Sequence, residues 1–332
     1  MTSPVPDLDY TATVRRPDWA TLPDAVQAAI GEAAGCAVVR ADPPPGSGFT
    51  GSFAAVVHLR DGRRVFAKAG RGSDDNPHVL RALTQEAGVL AALPSGTPSP
   101  RLVGARRVED GEHPWQVVVI EAVEGRLPQP WTEGDVDAVH RACLQAAAAL
   151  TPPPAGLGLS TLPADLRQDT RTLGLFDRLD DGSTAPTWGQ PAWLVERAAD
   201  LSRLAQAAPD AVSGDTACHG DLRADNVLVH RGRAVLVDWN WLAVAADWTD
   251  FVAVLPLARA DGVDADAWVR RSPLCRDVAP DAVDAWLANI AAYMLAAADD
   301  PVWAGGSPLV RVHQRRYART FLDWIAARRG WS

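Results

Sequence analysis

The chain has 332 residues, of which 47% are hydrophobic, and it carries a formal net charge of -9 at pH 7. A chain of this length buries roughly three quarters of its unfolded surface and favours two lobes over one. The acidic balance argues against a nucleic-acid partner, because phosphate contacts need clustered Lys and Arg, and it mildly favours a polycationic substrate.

The cysteines and the first residues bear on the cellular compartment. Cys36, Cys143, Cys218 and Cys275 show no CxxC spacing, and the start, MTSPVPDLDY, lacks the basic and apolar regions of a signal peptide. The longest nearly apolar stretch, IAAYMLAAA, is far below the roughly 20 residues that span a bilayer. We therefore expect a reduced, cytoplasmic protein with no membrane role, and nothing in the sequence predicts a protein partner.

The front of the chain begins with a helix and then changes to the period of strands. DAVQAAIGEAA at 24–34 predicts a short helix after a start punctuated by Pro. SFAAVVHLRDGRRVFAKA at 52–69 consists of two apolar runs joined by Asp61 and Gly62, which is typical of a hairpin.

A second helix and a further strand follow the hairpin. HVLRALTQEAGVLAAL at 78–93 has helical periodicity, and Asn76 and Pro77 suit a helix start. WQVVVIEAV at 115–123 predicts a buried strand. The first 120 residues are therefore expected to form a small sheet with one embedded helix.

The back of the chain is mostly helical from Gly125 onward. A Pro-rich loop, TPPPAG at 151–156, interrupts it. Amphipathic periodicity predicts helices at 135–150, near 192–207, at 281–298 and at 308–329. We expect an α+β fold with an N-terminal extension and β-rich lobe at 1–120, a hinge at 121–125 and a helical catalytic and substrate-binding lobe at 126–332.

The segment HGDLRADN carries the strongest chemical signal. Asp221 and Asn226 are five residues apart, and Asp238 follows twelve residues later. The apolar runs between them flank Arg231-Gly232-Arg233 and predict a hairpin, so Asn226 enters and Asp238 leaves at the same end. One amide and one carboxylate suit Mg²⁺, which takes its remaining ligands from water and substrate phosphates. Asp221 is left free to receive a hydroxyl proton.

HGDLRADN, VDWNW and the later DWTDF resemble the aminoglycoside phosphotransferase family, the small-molecule relatives of eukaryotic-type protein kinases. Gly220 stands where protein kinases have Arg. The resemblance implies a bilobal, protein-kinase-like fold with a small β-rich N-terminal lobe and a larger, mostly helical C-terminal lobe. It also implies transfer of the γ-phosphate of ATP or GTP to a hydroxyl, with Asp221 as catalytic base and Asn226 and Asp238 as Mg²⁺ ligands.

The front lobe contains an independent match, GSGFTGSF at 46–53. Alternating residues and an Asp-Gly turn follow it instead of a helix, so it is interpreted as a glycine-rich flap between two strands rather than a dinucleotide fingerprint. Its glycines would let backbone approach phosphate oxygens closely. The predicted nucleotide-binding residues of this flap are Gly46, Ser47, Gly48, Phe49, Thr50, Gly51 and Ser52.

Lys68 has apolar neighbours on both sides and therefore needs a partner, which Glu86 on the following helix can provide. The resemblance implies that Lys68 grips the α and β phosphates while Glu86 holds it. It also implies that the backbone at Glu121 and Val123 binds the adenine edge, which leaves ATP or GTP open.

Other residues near the motif are assigned supporting roles. Cys218 and His219 point in opposite directions on an extended segment, so they cannot form a nucleophile and base pair. The resemblance implies that His219 and Asp250 brace the catalytic loop and that Trp239 is a core aromatic. Only twelve residues separate Asp238 from Asp250, which disfavours protein substrates.

The acceptor stays open at the level of sequence. Acidic clusters at 177–181, 261–266 and 299–300 are candidates to receive the ammonium groups of an aminoglycoside. If the Arg-rich C-terminal helix at 311–330 lines the pocket, a less cationic acceptor such as a sugar, nucleoside or macrolide is favoured. We expect an aminoglycoside or another hydroxylated antibiotic, with antibiotic resistance as the role. A metabolic kinase acting on choline, homoserine, a sugar or a nucleoside, and a nucleotide-binding pseudokinase, are the alternatives.

Overall fold

The computed structural model describes residues 7–72, 78–109 and 111–331. Five of the described strands form one antiparallel sheet in the order β1-β2-β3-β5-β4. These strands are β1 (Val38–Ala41), β2 (Phe53–Leu59), β3 (Arg64–Arg71), β4 (Leu102–Val108) and β5 (Trp115–Glu121). The predicted hairpin is confirmed, since β2 and β3 pair in register across the Asp61-Gly62 turn.

Both faces of this sheet are buried, which explains the continuous apolar run of β5. Val117 and Val119 face a cluster that includes Val26 and Ile30 of helix α1 (Asp24–Ala34). Val118 and Ile120 face the opposite way, toward the core that continues into the helical part of the chain. Successive side chains of a strand point to opposite faces, so a strand covered on both sides has no polar alternation.

Helix α2 (His78–Ala92) packs on the second face of the sheet through Leu83 and Leu90. Glu86 lies on the same buried side and is directed at β3. The helix start expected at Asn76 and Pro77 lies outside the described residues.

The chain crosses to the helical part after β5. Arg126 and Val229 exchange two backbone hydrogen bonds, and a Cβ added at Gly125 would lie 3.0 Å from the Cβ of Leu228. The segment after the sheet therefore runs in close contact with the hairpin that carries Asn226. Domain limits at 1–120, 121–125 and 126–332 stay a prediction.

The helical part is built around one continuous hydrophobic core. Its helices are α3 (Glu133–Ala149), α4 (Leu162–Gln168), α5 (Thr170–Leu173), α6 (Leu175–Asp180), α7 (Ala198–Ala211), α8 (Thr249–Ala260), α9 (Ala265–Arg271), α10 (Pro280–Ala297) and α11 (Leu309–Arg329). Helix α10 is buried around most of its surface, which explains its apolar sequence. Across the described ranges, no helix is both long and apolar enough to cross a membrane.

Two short antiparallel ribbons lie in the helical part. Strand β6 (Thr216–Cys218) pairs with β9 (Ala243–Ala245), and β7 (Val227–His230) pairs with β8 (Arg233–Leu236). The second ribbon is the predicted hairpin, and its turn has positive φ at both Arg231 and Gly232, as a two-residue turn of this hand requires.

Some sequence-based boundaries differ from the structure. The helix predicted near 192–207 begins only at Ala198 and continues to Ala211, while Ala192–Leu194 forms a 3₁₀ turn. Strands β1 and β4 were not among the predicted elements. Both are edge strands with partly exposed side chains, so their sequences lack the apolar runs that identify the central strands.

Candidate active site

The loop after β6 brings Asp221 and Asn226 together. A 3₁₀ turn at Ala224–Asn226 folds the chain back, and the Asn226 amide nitrogen donates to the backbone oxygen of Asp221 at 2.7 Å and to its carboxylate at 3.2 Å. Asn226 is 4% exposed. The spacing of five residues is therefore what allows the amide to close the loop.

Gly220 is required by its surroundings. Its φ is +78°, and an added Cβ would lie 2.4 Å from the backbone oxygen of Trp241. A larger residue here would need the Trp241 backbone to move. The departure from protein kinases at this position therefore has a local steric cause.

Asp238 follows β8 and lies beside the entry of the hairpin. The Val237 amide donates to the backbone oxygen of Asn226 at 3.0 Å, which confirms that entry and exit are neighbours. Asp238 has a φ of 70°, a left-handed conformation that Asp tolerates better than most residues. This turn directs its carboxylate across the cleft to the sheet.

Lys68 on β3 joins the two lobes through a buried ion-pair network. Its Nζ donates to Glu86 Oε1 at 2.6 Å and to Asp238 Oδ1 at 2.8 Å. Burial opposes the charge of Lys68, but the two carboxylates outweigh it and raise the pKa of Lys68. Burial also raises the pKa of Glu86 against the influence of Lys68. The predicted partnership of Lys68 and Glu86 is observed, and Asp238 joins it.

Asp238 and Asp221 have opposite pKa shifts. Burial disfavours the charged form of Asp238, but the charge and hydrogen bond of Lys68 prevail and lower its pKa to about 2. Burial raises the pKa of Asp221 to about 7 against the opposing charge of Arg223, with Asp225 and Asp238 adding to the rise. Two carboxylates whose environments separate their pKa values are typical of a site that divides charge stabilisation from proton transfer.

Arg223 is a candidate site residue that was not predicted from the sequence. Its Nη2 lies 3.6 Å from Asp221 Oδ2, and its Nε donates to Asp225 Oδ1 at 2.9 Å. The guanidinium also lies 5.8 Å from the ring centroid of Phe49 in the flap. The available signal was a cation two residues after Asp221, inside the motif itself.

His219 and Asp250 brace this loop, as expected. The Asp250 carboxylate accepts the backbone amides of His219 at 2.6 Å and Gly220 at 3.0 Å, and His219 Nε2 donates to the Val237 oxygen at 2.9 Å. Trp239 is fully buried and packs on the His219 ring. Burial raises the pKa of the Cys218 thiol well above its usual value, which agrees with a structural role.

The glycine-rich segment connects β1 to β2, so it is a flap between two strands, as predicted. Its close contacts are with protein backbone. An added Cβ would lie 2.5 Å from the Thr11 oxygen at Gly46 and 2.6 Å from the Gly305 oxygen at Gly51. The need for Gly at these two positions therefore comes from chain segments on either side of the flap, a cause that the sequence did not reveal.

The hinge residues differ in what they can offer to a base. The Glu121 amide donates to the Arg101 oxygen at 2.9 Å, so this amide is already engaged. The Glu121 carboxylate pairs with Arg101, whose hydrogen bond lowers its pKa. Val123 lies in the segment between β5 and α3 and is partly buried.

The acidic clusters that were candidates for ammonium binding are largely engaged within the protein. Asp299 and Asp300 border a cavity of 280 Å³, yet they are bound by Arg315 and Arg171. Asp266 pairs with Arg328. Further acceptors of internal hydrogen bonds are Asp177, Asp181, Asp261 and Asp264. Asp299, Asp300 and Asp266 are thus paired with arginines, whereas Asp177, Asp181, Asp261 and Asp264 accept from neutral donors.

The side chains near Asp221 are aromatic and cationic. Tyr293 on α10 is 49% exposed. Partial burial and the charge of Asp221 raise the pKa of Tyr293, and the charge of Arg223 opposes that rise. The charge of Arg311 on α11 also lowers the pKa of Tyr293. Trp241, whose backbone contacts Gly220, is 57% exposed. The Arg-rich helix α11 borders the flap, since the ring of its His313 lies 4.7 Å from that of Phe49.

The residues present fit a Mg²⁺ ion that is shared with a phosphate ligand. The Asp238 carboxylate is ionised at neutral pH and is 36% exposed. The Asn226 amide nitrogen is engaged by Asp221, so its oxygen is the atom that a cation would take. Within the described residues, no group of three or more His, Cys, Asp or Glu side chains forms a metal site by itself. Mg²⁺ commonly binds in this way, through few protein groups with phosphates and water completing its shell.

A family model identifies the class of this protein. The model of the phosphotransferase enzyme family matches residues 44–293, which is more than half of the chain. The chain belongs to this family, and it is a small-molecule phosphotransferase with the family's kinase-like fold. No protein of curated function matches the sequence significantly.

Solved structures share the fold over most of the chain. A thermostable mutant of aminoglycoside phosphotransferase APH(4)-Ia, in complex with AMP-PNP and hygromycin B, has a TM-score of 0.59 at 15% identity, covering 93% of this chain and 100% of that one. A Thermobifida fusca YX-ER1 protein provisionally assigned as fructosamine-3-kinase has a TM-score of 0.50 at 22% identity, covering 91% and 100%. At these identities the similarity concerns the fold.

Proposed function

We propose that this phosphotransferase moves the γ-phosphoryl group of ATP, or of GTP, to a hydroxyl group of a small molecule. The observation that carries the proposal is the meeting of Lys68 with Asp238 across the cleft, beside the loop that holds Asp221 and Asn226. Phosphoryl transfer asks a protein mainly for positioning and charge neutralisation, and these groups are suited to both.

The proposed roles follow from the position and charge of each group. Lys68 binds the α and β phosphates, Glu86 orients Lys68, and the flap covers the triphosphate. The backbone at Glu121 and Val123 binds the base. Asn226 and Asp238 would hold Mg²⁺, which supplies neutralisation of the phosphate oxygens when it is bound.

Asp221 is the proposed catalytic base. As the acceptor oxygen bonds to the γ-phosphorus, its proton passes to the Asp221 carboxylate and the bond to the bridging oxygen breaks, releasing the nucleoside diphosphate. Arg223 lies 3.6 Å from the same carboxylate and neutralises part of the charge around the reacting groups.

The acceptor is proposed to be a small hydroxylated molecule with few positive charges. The exposed rings of Tyr293 and Trp241 support this choice, since aromatic faces suit sugar or base rings, and Arg311 on α11 would repel ammonium groups. An aminoglycoside is the second candidate. The APH(4)-Ia structure binds hygromycin B, and it shares the fold of this chain.

One assay tests the reaction and separates the acceptors. Release of ADP or GDP is measured with Mg²⁺ and ATP or GTP across aminoglycosides, macrolides, sugars, nucleosides, choline and homoserine, each with and without EDTA. We expect turnover with a neutral or anionic acceptor and none with EDTA. Turnover confined to aminoglycosides contradicts the proposed acceptor class, and no turnover with any compound favours a pseudokinase. A cytoplasmic setting stays a prediction of the sequence.

Asp221→Ala tests the catalytic base. Since general-base catalysis contributes about 10² to 10⁴ in rate, turnover is expected to fall by at least that range while the dissociation constant of Mg²⁺-ATP stays near the wild-type value. Asp137→Asn, an exposed carboxylate on α3 paired with Arg141, is the matched control and should leave both quantities unchanged. Equal turnover in the Asp221 variant and the wild type would remove Asp221 from this role.

A further inference from the structure

The N-terminal segment lies against the flap, outside the part of the chain that matches the family model. The Val14 amide donates to the Gly46 oxygen at 2.8 Å, and the Thr13 hydroxyl donates to the Gly48 oxygen at 2.6 Å. Thr13 is 2% exposed. The segment is therefore hydrogen-bonded directly to the flap, and no role for it was predicted from the sequence.

Arg16 makes the most extensive contact between this segment and the flap. Its Nη1 donates to the oxygens of Thr50 at 2.9 Å and Ser52 at 2.8 Å, and its Nη2 donates to the Ser47 oxygen at 2.8 Å. Asp238 and Asp225 lie close enough for their charges to favour the guanidinium against its burial. The guanidinium presents several N–H donors in a fixed planar fork, so this one side chain holds three carbonyl oxygens.

These contacts determine which way the flap peptides face. In a trans peptide the carbonyl oxygen and the following N–H point in opposite directions. With the Ser47 oxygen turned to Arg16, the Gly48 N–H points away from it, and Gly48 itself has a φ of +92°. Carbonyl oxygens repel phosphate oxygens, so a cation that gathers three of them leaves the flap better suited to a polyphosphate.

The other side of the flap is tied to the helical part. The Gly51 amide donates to the Gly305 oxygen at 2.9 Å, and the Ser307 amide donates to the Phe49 oxygen at 2.9 Å. Phe49 is 6% exposed and packs against Tyr10 and His313. The flap thus has a defined position over the cleft, and Arg16 sets the orientation of its backbone within that position.

We propose that Arg16 is a positioning residue for the nucleotide phosphates, which acts by holding the carbonyl oxygens of Ser47, Thr50 and Ser52. The inference rests on the proposed function, because it assumes that the flap covers a triphosphate. It adds a residue from the N-terminal segment to a site whose other residues come from the sheet, helix α2 and the loop and hairpin after β6.

Nucleotide binding without an acceptor tests this role. The dissociation constant of Mg²⁺-ATP is measured by calorimetry, and that of adenosine by ligand-observed NMR, for the wild type and for Arg16→Ala, Arg16→Lys and Thr13→Val. The matched control is Arg15→Ala, which removes an exposed neighbouring arginine. Adenosine lacks phosphates, so it reports on the base site alone, and circular dichroism verifies that each variant is folded.

Arg16→Ala is expected to weaken Mg²⁺-ATP binding about tenfold, the loss of roughly one charge-assisted hydrogen bond, and to leave adenosine binding unchanged. Arg16→Lys and Thr13→Val should weaken it less, and Arg15→Ala should match the wild type. If Arg16→Ala does not fold, Arg16→Lys and Thr13→Val decide the question by the same comparison.

Two results overturn the inference. Folded variants that bind Mg²⁺-ATP as the wild type does leave Arg16 without this role, and equal weakening of ATP and adenosine reveals a general structural effect instead. A wild-type protein that binds no Mg²⁺-ATP overturns the proposed function first, so the two failures are distinguishable.

Discussion

Replacing Lys68 by Met isolates the energetics of the buried ion pair. Glu86 has 2% of its side chain exposed, and Lys68 has 15%. Without Lys68, the Glu86 carboxylate stays buried with no cation beside it, and removing one partner of such a pair costs about 3–5 kcal/mol. Asp238 loses the same partner, but its carboxylate is 36% exposed and can be hydrated.

The loss of stability in Lys68→Met should depend on pH. Burial raises the pKa of Glu86 above its ordinary value of 4.5, and without Lys68 nothing opposes that rise. A carboxyl group with a raised pKa keeps its proton in the folded state after the unfolded chain has lost it. Stability therefore falls as pH rises above the unfolded value, by about 1.4 kcal/mol per pH unit. Lys68 opposes this rise in the wild type, so from pH 5 to pH 7 the variant should lose more stability than the wild type does.

Urea unfolding followed by tryptophan fluorescence at pH 5, 6 and 7 measures this difference. The double variant Lys68→Met/Glu86→Gln removes the buried charge, so it should be more stable than the single variant at pH 7 and show little pH dependence. Arg64 lies on the same strand as Lys68 and forms an exposed ion pair with Glu124. Arg64→Met breaks this pair and should reduce the free energy of unfolding by at most about 1 kcal/mol at every pH. A difference for Lys68→Met that is constant with pH, or a double variant no more stable than the single one, refutes the reasoning.

Two further predictions concern the loop support and the thiols. Asp250→Ala leaves the buried His219 amide without its acceptor, so we expect the free energy of unfolding in urea to fall by about 1–3 kcal/mol and turnover to decrease. Asp250→Asn should have a smaller effect. Unchanged stability in Asp250→Ala would contradict this expectation. In the native protein a thiol reagent should modify Cys36 readily and leave Cys143, Cys218 and Cys275 unmodified, because burial raises the pKa of these three thiols, that of Cys275 to about 11. Peptide mapping checks the labelled positions, and rapid native labelling of Cys218 would contradict its burial against β9.

The predicted elements agree with the structure where a segment is strongly patterned. The helix at 24–34 has the predicted bounds, the strand predicted at 115–123 forms at Trp115–Glu121, and the hairpin after Asn226 was expected. These segments bury one or two full faces, so their apolar residues follow the period of the element. Strands β1 and β4 lie at the edges of the sheet, bury little and have weak patterns, and they were missed for that reason.

The acceptor expectation shows a different limit of sequence reasoning. Asp299 and Asp300 are adjacent acidic residues in the sequence, which suggested a surface for ammonium groups. In the fold they pair with Arg315 and Arg171, which are distant in the chain. The sequence of a charge cluster does not indicate which residues folding will bring next to it. Only the structure could show that these two carboxylates are paired with arginines.

The sequence by itself determined the loop from Asp221 to Asn226 and the hairpin that follows it, because Asp221, Asn226 and Asp238 are separated by short, locally encoded turns. Lys68 and Glu86 were also predicted, since a lysine between apolar residues needs a partner. Only the tertiary structure brought Arg16 to the flap and Arg223 beneath Phe49. Those contacts join segments that lie far apart in the chain, and local periodicity and spacing do not predict contacts between distant segments.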